Sequence, residues 1–324
     1  MLLLSRTTLA QLLPMKNVVE ITEAFFRSFS PSEYTTPQRV VVQMPDRRAV
    51  WLFMPAYSTA QSKVTVKIIN EYLANPKYNL PKAFGMLVLF DLERGLPLAL
   101  MDSVYITEAR TGAMSGVATR YMAREDSTSV GLIGSGIQAW AQLEAMLAVR
   151  GIEEVHVFSP TKANRERFCE RASRELGIRA TPHDSPREAV EGRDIVITAT
   201  NSEKPVLSGE WISRGAHVNS IGVLPNRREL DEETIKRASK IVADLREFVI
   251  REAGDIIHAI NNGIISTSDI MELSAVVRGG KSIRESGDEI TLFKSVGFAA
   301  IDLFTASEAY RIARERGVGV EVEF

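Results

Sequence analysis

Val130-Gly131-Leu132-Ile133-Gly134-Ser135-Gly136-Ile137-Gln138-Ala139 is the stretch on which the fold of this chain turns. A short apolar strand at residues 129–133 runs into Gly134 and Gly136, with Ala139 three positions on, and a helix-patterned run over 137–150 follows. In a G-x-G-x-x-A turn the first glycine permits the tight bend and the second lets backbone approach a pyrophosphate. The small third residue lets the helix pack close on its strand. Free N–H groups and the dipole at the helix N-terminus then favour the anion. The spacing alone is common, and a glycine turn without ligand is the other reading of it. Context raises it. A strand at 155–158, a helix at 162–176 and strands at 194–199, 217–221 and 240–243 follow in alternation, which predicts a doubly wound parallel sheet of Rossmann type. Gly134, Ser135, Gly136, Ile137 and Gln138 are the expected dinucleotide contacts.

The end of the second strand reads cofactor choice. NAD sites place a carboxylate there, about 20 residues on, for the ribose hydroxyls. Here the chain reads Phe158-Ser159-Pro160-Thr161-Lys162, with Arg165 close behind. No carboxylate is present, while the hydroxyls of Ser159 and Thr161 and the charges of Lys162 and Arg165 suit a 2′-phosphate. NADP(H) is therefore expected, with NAD(H) as the alternative. The other reading of these cations is a solvated helix face continuing through Arg167, Arg171 and Arg174.

Before residue 126 the pattern differs. Helical spacing over 7–13 and 15–29 precedes strands at 39–44, 49–53, 63–72, 84–89 and 96–101, the last two flanking the hairpin signal Glu93-Arg94-Gly95. Adjacent strands of this kind imply an antiparallel or mixed sheet. A helix over 106–122 follows, with small residues on one face. The segment 295–316 reads as mostly helical and as packing back on the first domain. The expected division is 1–118 plus 300–324 as an α+β substrate and dimerisation domain, and 119–299 as the dinucleotide domain. With 324 residues, 45 % hydrophobic and 25 % charged, the chain is an ordinary globular one. A net charge of −2 gives no basic excess for nucleic acid or an anionic membrane. Met1-Leu2-Leu3-Leu4 meets Ser5-Arg6 too soon for a signal segment, and no run is long enough to span a membrane. The single cysteine, Cys169, supports no disulfide or thiolate metal site. His156, His183, His217 and His258 lack metal-ligand spacing and none reads as catalytic. A soluble cytoplasmic protein without a metal is expected.

Several motifs then fall in order. Met54-Pro55-Ala56, Val66-Lys67-Ile68-Ile69 through Asn75-Pro76 and Leu80-Pro81, and Thr107-Glu108-Ala109-Arg110-Thr111-Gly112-Ala113 precede the glycine loop. His217-Val218-Asn219-Ser220-Ile221-Gly222, Arg228-Glu229-Leu230 and Phe293-Lys294-Ser295-Val296-Gly297-Phe298 follow it. Together they resemble the ornithine cyclodeaminase/mu-crystallin family, which includes archaeal alanine dehydrogenases and ketimine reductases, over almost the entire chain. The resemblance implies a homodimer built on the first domain and the C-terminal helix. It also implies that Arg39 and Arg110 bind the substrate carboxylate, that Lys67 faces the reacting nitrogen, and that Met54 lines the substrate site. Thr111, Thr200, Asn201, Ser220, Ile221, Ser295 and Gly297 are its further cofactor contacts. A guanidinium suits a carboxylate, and an ammonium beside a C=N bond can donate a proton. Burial near two arginines would lower the Lys67 pKa. From the residues alone Lys67 reads instead as part of a polar sheet face, because Lys63, Thr65 and Lys67 alternate. Trp51, Phe53, Met54 and Phe298 read as packing rather than a cofactor box.

Two departures bear on activity. Leu224 stands where cyclodeaminase-type members carry a proton-shuttling aspartate, in a loop one residue shorter. Leu52 stands where they carry a glutamate for the distal amine. Glu229 or Asp231 would substitute only if the loop folded inward. The expected activity is NAD(P)H-dependent reduction of a C=N bond in a small amino or imino acid. A cyclic substrate such as pyrroline-2-carboxylate, or alanine-type dehydrogenation, fits best. The alternatives are an ammonia-releasing cyclodeaminase lyase and a nucleotide-binding crystallin-like protein without turnover.

Overall fold

The structure is a computed structural model that describes residues 1–323. The chain forms two compact units, Met1–Arg110 with Phe298–Phe324, and Thr111–Gly297. The first crossing falls inside a helix rather than after residue 118, and the second falls just after Gly297. Strand β1 (Leu2–Leu4), helices α1 (Arg6–Leu12) and α2 (Met15–Ser28), and strands β2 (Tyr34–Thr35), β3 (Val40–Met44), β4 (Ala49–Ser58), β5 (Lys63–Tyr72), β6 (Ala83–Asp91) and β7 (Pro97–Asp102) lead into α3 (Ser103–Met122). Next come β8 (Ser129–Ile133), α4 (Ile137–Val149), β9 (Glu154–Phe158), α5 (Lys162–Leu176), β10 (Arg179–Pro182), α6 (Pro186–Val190), β11 (Ile195–Thr198) and β12 (His217–Ser220). Helix α7 (Glu232–Arg237), β13 (Ala238–Ala243), α8 (Arg246–Glu252), α9 (Gly254–Asn261), β14 (Ile270–Glu272), α10 (Leu273–Gly279) and β15 (Ile290–Lys294) precede α11 (Ala299–Arg316) and β16 (Val320–Glu321). Among the described residues no helix is long and apolar enough to cross a membrane.

The first unit is a mixed sheet in the order β16-β1-β7-β6-β5-β4-β2, with β3 on β4. The opening leucines form β1, parallel to β7, and bury Leu2 and Leu4. One face of the sheet is covered by α11. Its core joins Phe25, Phe29, Tyr34, Phe298 and Phe304 in edge-on and tilted ring contacts. The alternation along β5 resolves against first appearance. Thr65 and Lys67 lie on the covered face, while Val64, Val66 and Ile68 stay partly accessible on the other. Register places Val40, Phe53, Ile68 and Met86 side by side on that outer face. It is an apolar surface, with Val40, Phe84 and Met86 exposed.

The second unit is an all-parallel sheet in the order β10-β9-β8-β11-β12-β15-β13-β14. Strands β8, β11, β12 and β15 are buried throughout, as parallel strands with both faces covered must be. Sequence order reverses between β8 and β11, so the glycine loop leaves β8 at the topological switch point. Strand β15 was not legible as a strand, because Ile290-Thr291-Leu292-Phe293-Lys294 is too short and mixed to carry a period of its own. The expected helix from 295 begins only at Ala299, since Gly297 adopts φ +69 and breaks the backbone run.

Candidate functional site

Lys67 sits mid-strand in β5, between Met54 of β4 and Leu87 of β6. Its side chain points to the covered face and is 1 % exposed. There Asp302, in the first turn of α11, receives it: Lys67 Nζ lies 2.7 Å from Asp302 Oδ2. Arg110, in α3, donates Nε to the other oxygen at 2.9 Å. The helix N-terminus adds a favourable field for the carboxylate. Burial alone would push the Asp302 carboxyl up, but Arg110 and Lys67 hold it below the usual range. Burial, with the charges of Arg110 and Arg39 adding to it, pulls the Lys67 ammonium down to about 7 against the opposing pull of Asp302. Arg39 acts on Lys67 through its charge, while the Asp302 carboxylate itself takes two cationic groups, Lys67 and Arg110. Held through Nε, the Arg110 guanidinium keeps its two terminal nitrogens for a second, bidentate partner. Met54 is buried beside Lys67 in register.

Asp302 is the residue that sequence reasoning missed. A signal existed, a single acid inside Ala299-Ala300-Ile301-Asp302-Leu303-Phe304, but an acid in a helix ordinarily faces water.

In the second unit Gly134 has φ +127, and a Cβ there would meet Ala199 O at 2.4 Å. Only glycine fits, for reasons internal to the fold. Gly136 is different: nothing lies within 4 Å of where its Cβ would be. Protein packing makes no demand for glycine at this position, which precedes α4 and leaves that helix without a side-chain cap. A backbone kept bare over open space, at a helix N-terminus, is the cradle a pyrophosphate needs. Ile137 is exposed and Gln138 is nearby on the same first turn.

Ser135 donates to the buried Ser159 hydroxyl at 2.9 Å, and Thr161 stands at the N-cap of α5. Lys162 extends into solvent, 3.8 Å from Glu166. Arg165 is not the free cation expected. It is buried, donates to Ser159 O at 3.0 Å and pairs with Asp184, so it braces the strand end. Thr111 is buried and its carbonyl accepts from Gln142 Nε2 at 3.2 Å. Ser220 and Ser295 have buried hydroxyls that are already engaged. Ser220 donates to Glu229 at 2.9 Å, and Ser295 donates to Asp244 at 2.8 Å. Asp244 also takes the Gly297 N–H at 2.7 Å. Both serines therefore shape loops rather than present side chains. Thr200 bonds Glu229, Asn201 accepts from Arg227 at 2.9 Å, and Ile221 is half-buried.

Leu224 is 9 % exposed with φ +97, a strained backbone for leucine. The loop does fold inward at Glu229, but both oxygens of that side chain already accept from protein donors, so it is turned into the fold rather than toward a ligand. Asp231 caps α7 through Thr234 N at 2.8 Å. His217 is buried and held down to about 3 by burial with the Arg284 and Arg150 charges adding. It bridges Thr291 at 2.9 Å and Asn219 at 3.2 Å, a role in the core.

The model of the ornithine cyclodeaminase/mu-crystallin family matches residues 1–317. The chain is 35 % identical over 326 residues, covering 100 % of both, to a Delta(1)-pyrroline-2-carboxylate reductase of Bacillus cereus strain ZK / E33L. It is similar in structure to Thermococcus litoralis Delta(1)-pyrroline-2-carboxylate reductase in complex with NADH and L-proline. That likeness has a TM-score of 0.94 at 43 % identity, over 99 % of this chain and 100 % of the other. An archaeal alanine dehydrogenase dimer with bound NAD matches with a TM-score of 0.89 at 34 % identity, over 100 % and 99 % of the two chains.

Proposed function

The chain belongs to the ornithine cyclodeaminase/mu-crystallin family, and we propose that it is an enzyme of that family reducing the C=N bond of a small imino acid with a nicotinamide dinucleotide. A cyclic substrate of the pyrroline-2-carboxylate kind fits best, with amino-acid dehydrogenation as the reverse sense of the same chemistry. The observation that carries this reading is the buried pair of cations, Lys67 and Arg110, on the one carboxylate of Asp302. A buried surplus of positive charge calls for an anion, and a substrate carboxylate supplies one. Arg110 and Arg39 hold that carboxylate. Lys67, poised near neutral pH, gives its proton to the imine nitrogen. A nicotinamide dinucleotide held at Gly134, Ser135 and Gly136 would supply the hydride that completes the reduction. The product is the amine, and solvent reprotonates Lys67. Leu224 offers no group to move a proton at a substrate amine, which counts against cyclising deamination.

NADPH is the proposed partner in preference to NADH, supported by Ser159, Thr161 and Lys162 at a strand end without a carboxylate. A homodimer is proposed from the outer sheet face of the first unit, where Val40, Phe84 and Met86 are exposed. An apolar face of this kind needs a cover, and Met86→Glu is expected to yield monomers in sedimentation analysis. A cytoplasmic location fits a chain whose one cysteine is buried.

The test is loss of nicotinamide absorbance with NADPH, then NADH, against pyrroline-2-carboxylate, with Lys67→Ala alongside. Turnover that disappears in the variant is expected. Dinucleotide binding without turnover, together with ammonia release from ornithine, would overturn the reductase reading in favour of the lyase.

A further inference from the structure

Between β12 and α7 the chain folds back so that Glu229 lies fully buried across the ends of β11 and β12. Its Oε1 accepts from Thr200 N at 2.6 Å and Thr200 Oγ1 at 2.9 Å. Its Oε2 accepts from Thr198 Oγ1 at 2.8 Å, Ser220 Oγ at 2.9 Å and Gly222 N at 2.7 Å. One carboxylate therefore ties the loop leaving β11 to the loop leaving β12. These strands follow β8 in the sheet, so all three loops emerge at one carboxyl edge, where open parallel sheets bind ligands. Gly222 is fitted to the same side chain, since a Cβ there would stand 2.7 Å from Glu229 Cδ. The buried charge is balanced through Ser220, whose hydroxyl also receives Lys294 Nζ at 2.9 Å.

We propose that Glu229 is a positioning residue for the dinucleotide. Its carboxylate holds the loops at 199–202 and 220–223 in the shape that receives the half of the cofactor lying over β11 and β12. This rests on the reading of the glycine loop as a dinucleotide site. The role requires a carboxylate rather than an amide. Each oxygen faces one backbone N–H, Thr200 on one side and Gly222 on the other. A hydroxyl donor can rotate away, but a backbone N–H cannot, so a glutamine amide would confront one of them donor to donor.

The experiment titrates NADPH and NADH into the full-length wild-type protein, Glu229→Gln and Asp231→Ala, following protein fluorescence, with melting temperatures and steady-state kinetics on each. Asp231→Ala removes the α7 cap in the same segment and serves as the control for lost stability alone. Glu229→Gln is expected to raise the dinucleotide Kd and KM by about ten- to a hundredfold, the cost of a buried donor left unmet, with the imino-acid KM unchanged. Asp231→Ala is expected to melt lower and bind as wild type. If Glu229→Gln proves insoluble, Thr198→Val carries the test. That position is sealed inside β11 and loses a single donor, and a rise in dinucleotide Kd is again expected. Wild-type affinity in Glu229→Gln, or equal weakening in the two variants, overturns the proposal alone. Failure of wild-type protein to bind either dinucleotide overturns the cofactor reading and this inference with it.

Discussion

Two buried lysines in this chain do opposite things. Lys67, in the first unit, shares the single carboxylate of Asp302 with Arg110 and feels Arg39 besides. Lys294, in the second, lies 2.9 Å from Asp255 and bonds Ser220, with the buried Glu229 carboxylate one hydrogen bond further on. Around Lys67 cations exceed anions. Around Lys294 anions exceed the cation, yet the lone pairs of Glu229 are filled by protein donors. On the function proposed above, the first cluster is completed by the substrate carboxylate. The second is complete already and holds loops in place. Burial and residue type are the same in both; charge balance and satisfaction distinguish the lysine proposed to react from the one that holds structure.

The contrast can be broken by removing each lysine. Lys67→Met is expected to cut imino-acid reduction by about 10²- to 10⁴-fold, measured as kcat/KM, with the dinucleotide Kd unchanged. Lys294→Met should instead cost about 3–5 kcal/mol in denaturant unfolding, because Asp255 is left as a buried charge without its partner. Lys67→Met should lose less than about 1 kcal/mol, since Arg110 still pairs with Asp302 and the desolvation of an ammonium is avoided. A reversed ranking in stability would remove the distinction between the clusters.

The open cluster is sharpened by pH. Lys67 must be protonated to act, so reduction is expected to fall as pH rises through about 7. Asp302 opposes the lowering of that pKa. Asp302→Asn should therefore move the falling limb of kcat/KM toward acid, whereas a merely structural role would lower the profile without shifting it. The smallest effect is expected at the surface. Lys162→Ala should raise the NADPH KM by about two- to fivefold and leave that for NADH alone, since an exposed cation contributes little.

How much of this was legible depended on the range of the interactions. Strands β5 and β8 and helix α5 begin and end where the sequence pattern places them, and the glycine loop lies between a strand and a helix as its spacing implies. Those features rest on local sterics and short-period hydrophobicity. The second unit was more legible than the first, because continuous apolar strands alternate there with helices. Asp302 carried only a weak local mark, its apolar neighbours, and that mark named no partner. Asp302 and Asp255 are each an ordinary acid in a helix until the fold sets it against a lysine from a distant strand.

The sequence by itself determined the two kinds of sheet, the glycine turn between β8 and α4, and Lys67 and Arg110 as the cations of the proposed substrate site. Only the tertiary structure decided which face of β5 is covered. Alternation separates Lys63, Thr65 and Lys67 from Val64, Val66 and Ile68, but a strand's period of two does not say which set points inward. A polar stripe ordinarily faces water. Here α11 brings Asp302 over it, so the lysine is buried with a partner and the valines are left outside. That choice depends on a charge contributed from the far end of the chain.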